Sequence, residues 1–102
     1  MRTDIKADVN WFCFPITLRQ GTPFTREFFV RYLYENKVEI RPIMAGNLTN
    51  HLPYTMIKSE IVGNLHNSDV VSRRGFFIPA CPMSEIQLDY YINILEGFLK
   101  KY

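Results

Sequence analysis

The sequence predicts an α+β domain of two layers, a small sheet with helices packed on one of its faces. Short aromatic and β-branched runs are typical of strands, and two other segments carry apolar residues at helical spacing. The elements follow the order strand, helix, strand, irregular segment, strand, helix, which is typical of such a fold. With 102 residues, 47% of them hydrophobic, the chain is predicted to form one packed domain.

The first strand is predicted after a polar leader, residues 1–10. The run "WFCFPITL", residues 11–18, has the aromatic and β-branched composition that suits a pleated surface. Pro15 cannot donate a ladder hydrogen bond, so it favours an edge position or a bulge.

A helix and a second strand follow. Thr25 is a suitable N-cap, and Phe29 and Leu33 share one face at helical spacing. Asn36 and Lys37 are expected to end this helix. The run "VEIRP", residues 38–42, predicts a short strand with its apolar side chains on one face.

The segment from residue 43 to residue 74 is predicted to be irregular, with short helical turns at residues 53–58 and after Asn67. "GFFI" predicts a buried strand that stops at Pro79. The last helix has the clearest signal, because Ser84 and Gln87 fit a capping box. Its predicted apolar face consists of Leu88, Tyr91, Ile92, Leu95, Phe98 and Leu99.

Composition excludes several classes of function. The formal charge is only +2 and the basic residues are scattered, so no nucleic-acid partner is expected. No apolar run approaches the ~20 residues that span a bilayer, so no membrane partner is expected. Two cysteines alone favour two buried free thiols in a reducing cytoplasm over a disulfide framework, which predicts a cytoplasmic protein.

The residues alone give no active site. His51 and His66 are isolated, and no glycine-rich phosphate loop or nucleophile elbow occurs. The two cysteines lie too far apart in sequence to suggest a metal site. No catalytic residue and no metal ligand is therefore predicted, and the polar central segment "IRPIMAGNLTNHLPY", residues 40–54, is the main candidate for binding.

Four segments, taken in order, resemble one known family. They are "NWFCFPITLR", "GTPFTREFFVRYLYENKVEIRPIMAGNLT", "VGNLHNSDVVSRRGFFIPACP" and "SEIQLDYYINILEGFLKKY". The chain resembles the C-terminal small domain of the DegT/DnrJ/EryC1/StrS group of sugar aminotransferases and dehydratases. The resemblance implies the small domain of the type I aminotransferase fold over residues 11–102, without the large cofactor-binding domain.

Two features favour the nucleotide-sugar 3-dehydratase branch, typified by CDP-4-dehydro-6-deoxyglucose 3-dehydratase. Phe12 stands where the aminotransferases commonly have a histidine, and the segment from Arg41 to Thr49 is similar to the dehydratase pattern. The small domain of a sugar aminotransferase remains an alternative. An orphaned, non-catalytic interaction module is another.

The resemblance implies a role in deoxysugar and lipopolysaccharide biosynthesis, with no activity for this chain alone. The intact enzyme would bind pyridoxal or pyridoxamine phosphate through its large domain, and this chain would bind no cofactor. The implied partners are that large domain, a nucleotide sugar and a second copy of the chain. The implied substrate-binding residues are Phe12, Arg41, Gly46, Asn47 and Thr49. Their polar groups are expected to face water or a neighbouring chain.

Overall fold

A computed structural model describes residues 4–102, so Met1–Thr3 of the predicted leader lie outside the described residues. Residues 4–12 form neither helix nor strand. The elements that follow are strand β1 (Cys13–Thr17), helix α1 (Arg26–Glu35), strand β2 (Arg41–Pro42), a 3-10 turn (Leu48–Asn50), helix α2 (Leu52–Thr55), helix α3 (His66–Arg74), strand β3 (Gly75–Pro79) and helix α4 (Glu85–Leu99).

The three strands form an antiparallel sheet in the order β1-β3-β2. β1 pairs with β3 along its whole length, from Cys13 opposite Pro79 to Thr17 opposite Gly75. β1 is therefore an edge strand, which confirms the position that Pro15 predicted. β3 is the central strand, and its first four residues are buried.

β2 is shorter than predicted. Only Arg41 and Pro42 pair with β3, opposite Phe77 and Phe76. The preceding residues of the predicted strand lie outside the ladder, although Val38 is buried in the core. Burial of an apolar side chain at this position therefore does not require strand pairing.

The hydrophobic core lies where α1 and α4 cover one face of the sheet. Phe29 of α1 meets Phe76 of β3 edge-to-face at 5.7 Å between ring centroids, and its ring lies 4.5 Å from that of Phe98 in α4. Leu33 and Val38 complete the buried cluster. This arrangement confirms the predicted α+β fold.

Both predicted helix caps are present. The Thr25 hydroxyl accepts a hydrogen bond from the backbone N–H of Phe28, and Ser84 and Gln87 form a reciprocal capping box. The predicted apolar face of α4 is only partly buried. Phe98 is buried and Tyr91 and Leu95 pack against the core, whereas three of the predicted residues, Leu88, Ile92 and Leu99, are exposed. The prediction was wrong for those three because α4 contacts the core along a narrow line of residues.

The central segment holds more helix than predicted. α3 runs for nine residues, and Arg26 of α1 donates hydrogen bonds to the carbonyls of Ser72 (2.8 Å) and Gly75 (3.3 Å) at its C-terminal end. These bonds satisfy carbonyls that a helix end leaves without partners. Because Arg26 lies 46 residues away from Ser72, this support could not be read from the local sequence.

None of the helices described for residues 4–102 combines the length and apolar character needed to cross a bilayer. Cys13 and Cys81 are both free thiols. Cys13 is half-buried and Cys81, in the segment between β3 and α4, is exposed, so the prediction that both thiols are buried was wrong.

Candidate functional site

The polar loop of residues 43–50 folds tightly against α3. Ala45 and Gly46 both have left-handed backbone conformations, with φ of 63° and 55°. A Cβ atom on Gly46 would lie 2.7 Å from the Cβ of Ser72, which is closer than side chains tolerate. Glycine at position 46 therefore permits both the turn and the close approach of the loop to α3.

Asn47 is the centre of a hydrogen-bond cluster that joins the loop to α3. Its side chain is buried, with 5% exposure, and its amide nitrogen donates to the Asp69 carboxylate at 2.7 Å. Its carbonyl oxygen accepts from the backbone N–H of Thr49 at 3.0 Å and from the Thr49 hydroxyl at 2.7 Å. The expectation that the polar groups of the loop face water or a neighbouring chain is therefore wrong for Asn47.

Asp69 is the anionic member of this cluster. The hydrogen bond from Asn47 lowers its pKa below the ordinary value, and a second bond from Asn50 at 3.2 Å adds to the effect. The carboxylate is thus held ionised next to the loop. Asp69 does not stand out in the sequence, because nothing local indicates a hydrogen-bond partner 22 residues away.

His51 closes the loop from the other side. Its Nε2 lies 2.6 Å from the backbone carbonyl of Ala45, and a carbonyl can only accept, so Nε2 carries the proton. This contact gives His51 a role in holding the left-handed turn.

Arg41 and Phe12 lie beside a different residue, Phe77. Arg41 is paired with Phe77 in the sheet, and the Phe12 ring lies 5.9 Å from the Phe77 ring. The Arg41 guanidinium makes two hydrogen bonds to one oxygen of Glu39, at 2.7 and 3.1 Å, in an exposed ion pair. Phe12 is 71% exposed. The structure therefore places the five predicted residues in two groups, the loop cluster and the pair beside Phe77.

A cleft of about 330 Å³ opens beside the loop. Its lining includes Leu48 and Thr49 of the 3-10 turn together with Tyr54, Glu60, Ile61 and Leu65. The lining combines hydroxyl groups with apolar side chains. Such a lining suits a small ligand with both polar and apolar faces.

The described residues do not fit a pyridoxal phosphate group. That cofactor needs partners for its ring nitrogen, its aldehyde carbon and its phosphate. One cleft of about 480 Å³ contains Lys37 as its one cation, and its acidic residue Glu39 is already paired with Arg41. Three smaller clefts contain no lysine. Among residues 4–102, no group of three or more His, Cys, Asp or Glu side chains could hold a metal ion.

Comparison with known proteins identifies relatives, although no model of a protein family matches the chain. The chain is 35% identical over 94 residues to the lipopolysaccharide biosynthesis protein RfbH of Salmonella typhimurium. It is 30% identical over 96 residues to dTDP-4-dehydro-2,6-dideoxy-D-glucose 3-dehydratase of Saccharopolyspora spinosa. It is also 31% identical over 96 residues to GDP-4-keto-6-deoxy-D-mannose 3-dehydratase of Yersinia pseudotuberculosis. This chain is homologous to the C-terminal region of nucleotide-sugar 3-dehydratases.

These matches confirm the resemblance to sugar dehydratases predicted from the sequence. They cover 91–93% of the chain but only 21–24% of each relative, so the chain spans about a fifth to a quarter of the length of the relatives that it matches. The similarity therefore concerns one part of each of these longer proteins.

Two solved structures show the same fold. Both are of GDP-4-keto-6-deoxymannose-3-dehydratase, one with a trapped PLP-glutamate geminal diamine and one a mutant with bound GDP-perosamine. The TM-score is 0.71 for each, at 24% and 22% identity. They cover 83% and 81% of this chain but 22% of each solved chain. The small α+β domain thus has the fold of a segment of that enzyme.

Proposed function

We propose that this chain is the small domain of a nucleotide-sugar 3-dehydratase and acts together with a large cofactor-binding domain. The observation that carries the proposal is the extent of the match: nearly the whole chain aligns with about a fifth of each of three relatives. Two of the three are named as 3-dehydratases, and the third is named for lipopolysaccharide biosynthesis. The proposed product would be a deoxysugar nucleotide of the kind used in that biosynthesis.

The predicted site residues take different parts in this proposal. Thr49 lines the 330 Å³ cleft, where its hydroxyl could contact a sugar. Gly46 and Asn47 are positioning residues, because the contact of Gly46 with α3 and the bonds of Asn47 hold the loop that presents Thr49. Arg41 and Phe12 are exposed, so they are available to a phosphate and to a ring of the nucleotide sugar respectively.

The large exposed surface of the chain supports the proposal that it contacts a large partner domain. The accessible area is 8629 Å², whereas a folded monomer of this mass exposes roughly 6,000 Å². The Cα radius of gyration, 16.4 Å, also exceeds the ~13 Å of a compact domain of this length. Large apolar side chains, including Phe12, Phe14 and Ile86, lie exposed on this surface. These exposed side chains are available for the apolar contact that a permanent interface makes.

A complementation experiment tests the proposed function. The chain would be co-expressed with the Yersinia GDP-4-keto-6-deoxy-D-mannose 3-dehydratase from which the matching segment has been removed. We expect a stable complex that retains the absorbance of bound pyridoxal phosphate and removes the C3 hydroxyl from the GDP-linked sugar. The shortened enzyme alone and the chain alone are the controls, and both should be inactive.

The other outcomes favour other functions. An amino sugar that keeps its C3 hydroxyl would indicate an aminotransferase. A complex that turns over none of the GDP-, dTDP- and CDP-linked keto sugars would indicate an interaction module. If no complex forms and light scattering shows a monomer across a concentration series, both the large-domain partner and self-association are excluded.

A further inference from the structure

Helix α4 carries an apolar stripe that the rest of the fold leaves largely uncovered. The stripe consists of residues at the spacing i, i+4, i+7 and i+11, which lie along one side of a helix: Leu88, Ile92, Leu95 and Leu99. Leu88, Ile92 and Leu99 are 46%, 42% and 55% exposed, whereas Leu95 packs in part against the core. A continuous row of exposed apolar side chains is typical of a surface that contacts a partner.

The stripe faces away from α1, the neighbouring helix. The Tyr90 hydroxyl donates to the backbone carbonyl of Asn36 at 2.9 Å, so Tyr90 lies on the side of α4 that meets the end of α1. Residues two apart in an α-helix point in nearly opposite directions, because each residue turns the helix by about 100°. Leu88 and Ile92 are each two residues from Tyr90. Both therefore point away from α1, which cannot cover them.

A row of polar side chains runs beside the α4 stripe and changes its charge along the helix. Each member directly follows one residue of the stripe: Asp89, Asn93, Glu96 and Lys100. Lys100 is paired with Glu96 at 2.9 Å, whereas Asp89 belongs to none of the ion pairs described for residues 4–102. The helix dipole favours carboxylates within the first turn, so it does not account for Asp89 in the second turn. The row is thus acidic near its start and basic at its end.

We propose that the α4 stripe is a contact between two copies of this chain, in which the two α4 helices pack antiparallel about a two-fold axis. In such a pair the same flank of each helix meets the same flank of the other. When Leu88 of one copy lies beside Leu99 of the second copy, Asp89 lies beside the second copy's Lys100. Symmetry repeats this ion pair at the other end of the stripe. The surface is therefore complementary to itself in both shape and charge, as a two-fold interface requires.

The polar row favours a second copy in this orientation. A parallel pair would place the two polar rows on opposite sides of the contact and leave Asp89 without a cation. The stripe runs for only about 16 Å, at about 1.5 Å per residue, so it buries less than the roughly 800 Å² per partner of a standard interface. We therefore expect a weak dimer, with a dissociation constant on the order of 10–100 μM. The proposal does not depend on the proposed function, because both surfaces belong to this chain.

Sedimentation velocity of the full chain, over about 5–500 μM, tests the contact. The average mass should rise from that of a monomer to that of a dimer. Ile92→Asp places a charge in the middle of the stripe and should raise the dissociation constant about thirtyfold, the loss typical of a central interface residue. Leu88→Asp should act in the same way nearer the N-terminal end of α4, where a carboxylate is better tolerated. Circular dichroism shows whether each variant is folded.

Ile86→Asp is the matched control for these substitutions. Ile86 is 82% exposed on the same helix, but it lies two residues from Leu88 and so points the opposite way. The dissociation constant should therefore stay unchanged. If general stickiness of apolar side chains caused the association, this more exposed isoleucine would matter at least as much as Ile92.

Charge reversal tests the antiparallel orientation. Asp89→Lys and Lys100→Glu each replace the proposed ion pair by two like charges, and symmetry repeats the repulsion. Each variant alone should dimerise about tenfold more weakly at low salt, and less so at high salt. An equimolar mixture of the two should form a heterodimer as tight as the unaltered dimer, because every charge at position 89 then meets the opposite charge at position 100.

The proposal is overturned if the chain stays monomeric over the whole concentration range, if Ile86→Asp weakens the dimer as much as Ile92→Asp does, or if the mixture forms no heterodimer. A monomeric chain in which Ile92→Asp instead prevents the complex with the shortened enzyme would assign the stripe to the large domain. Failure of the dimer is distinct from failure of the dehydratase assay, because a monomeric chain that restores dehydration keeps the proposed function and loses only this contact.

Discussion

The aromatic core and the Asn47 loop are each stabilised by a different kind of interaction. In the core, the Phe29 ring packs against the rings of both Phe76 and Phe98. In the loop, one buried amide joins the backbone and hydroxyl of Thr49 to the Asp69 carboxylate. Apolar packing depends on volume and is insensitive to pH, whereas the loop depends on the direction and ionisation of a few groups. Stability of the fold and geometry of the candidate site should therefore respond to different changes.

The largest loss of unfolding free energy is expected from a substitution in the core. Phe98→Ala removes a side chain with 1% exposure whose ring contacts those of Phe24, Phe29 and Tyr32. The loss should be about 3–5 kcal/mol of unfolding free energy, because the cavity cannot close fully. Urea denaturation followed by circular dichroism measures it. The chain should approach complete unfolding, since small domains are stable by only about 5–15 kcal/mol.

The neighbouring residue provides the control for this substitution. Leu99 is more than half exposed, so Leu99→Ala should change the unfolding free energy by about 0.5 kcal/mol. Equal losses at both positions would show that α4 does not pack through Phe98.

Gly46→Ala is expected to be the most damaging change in the loop. The positive φ costs a non-glycine residue about 1–3 kcal/mol, and the overlap with Ser72 adds a packing penalty. Gly21→Ala is a matched control, because φ there is 84° and nothing lies within 4 Å of an added Cβ. The difference between the urea denaturation midpoints of the two variants measures how much the contact of the loop with α3 contributes to stability. No difference would mean that the loop does not approach α3 as closely as described.

Asn47→Ala should lower the unfolding free energy less than Gly46→Ala does, and its effect on hydrogen exchange should be confined to the loop and the start of α3. It removes the bonds that join one buried amide to Thr49 and to the Asp69 carboxylate, and the loss of the bond to the Thr49 hydroxyl alone costs about 1 kcal/mol. Hydrogen exchange should become faster at residues 43–50 and in the first turn of α3, while β3 and α4 keep their protection. Asn50→Ala, which removes one exposed bond of 3.2 Å to the same carboxylate, should change much less. Uniform loss of protection across the chain would contradict a local role.

This difference between the regions explains what could be predicted of the fold. α1, β3 and α4 follow from local signals: the Thr25 cap, the apolar run at residues 76–78 and the capping box at Ser84. The burial of α4 was overestimated because periodicity shows which residues share a face but not how wide the contact with the core is. The length of α3 was underestimated because the carbonyl of Ser72 near its C-terminal end accepts a hydrogen bond from Arg26 of another helix.

The candidate site could be predicted in its residues but not in its geometry. The loop was singled out by its Gly-Asn pair and by the resemblance to sugar-modifying enzymes. The sequence gives no sign that Asn47 points inward, because its partner Asp69 lies in a segment expected to be irregular.

The smallest effect concerns pH and is confined to the loop. Because the folded chain holds the pKa of Asp69 below its unfolded value of about 3.9, the ionised carboxylate stabilises the fold above that value. The contribution is lost as pH falls through the lowered pKa. Hydrogen exchange at residues 43–50 should therefore speed up relative to the core in the acid range. In Asn47→Ala the Asp69 pKa, followed by carboxyl resonances, should rise toward the ordinary value. A pKa unchanged by Asn47→Ala would mean that the amide does not set the ionisation of Asp69, and the loop would then be held by the backbone turn and the His51 contact.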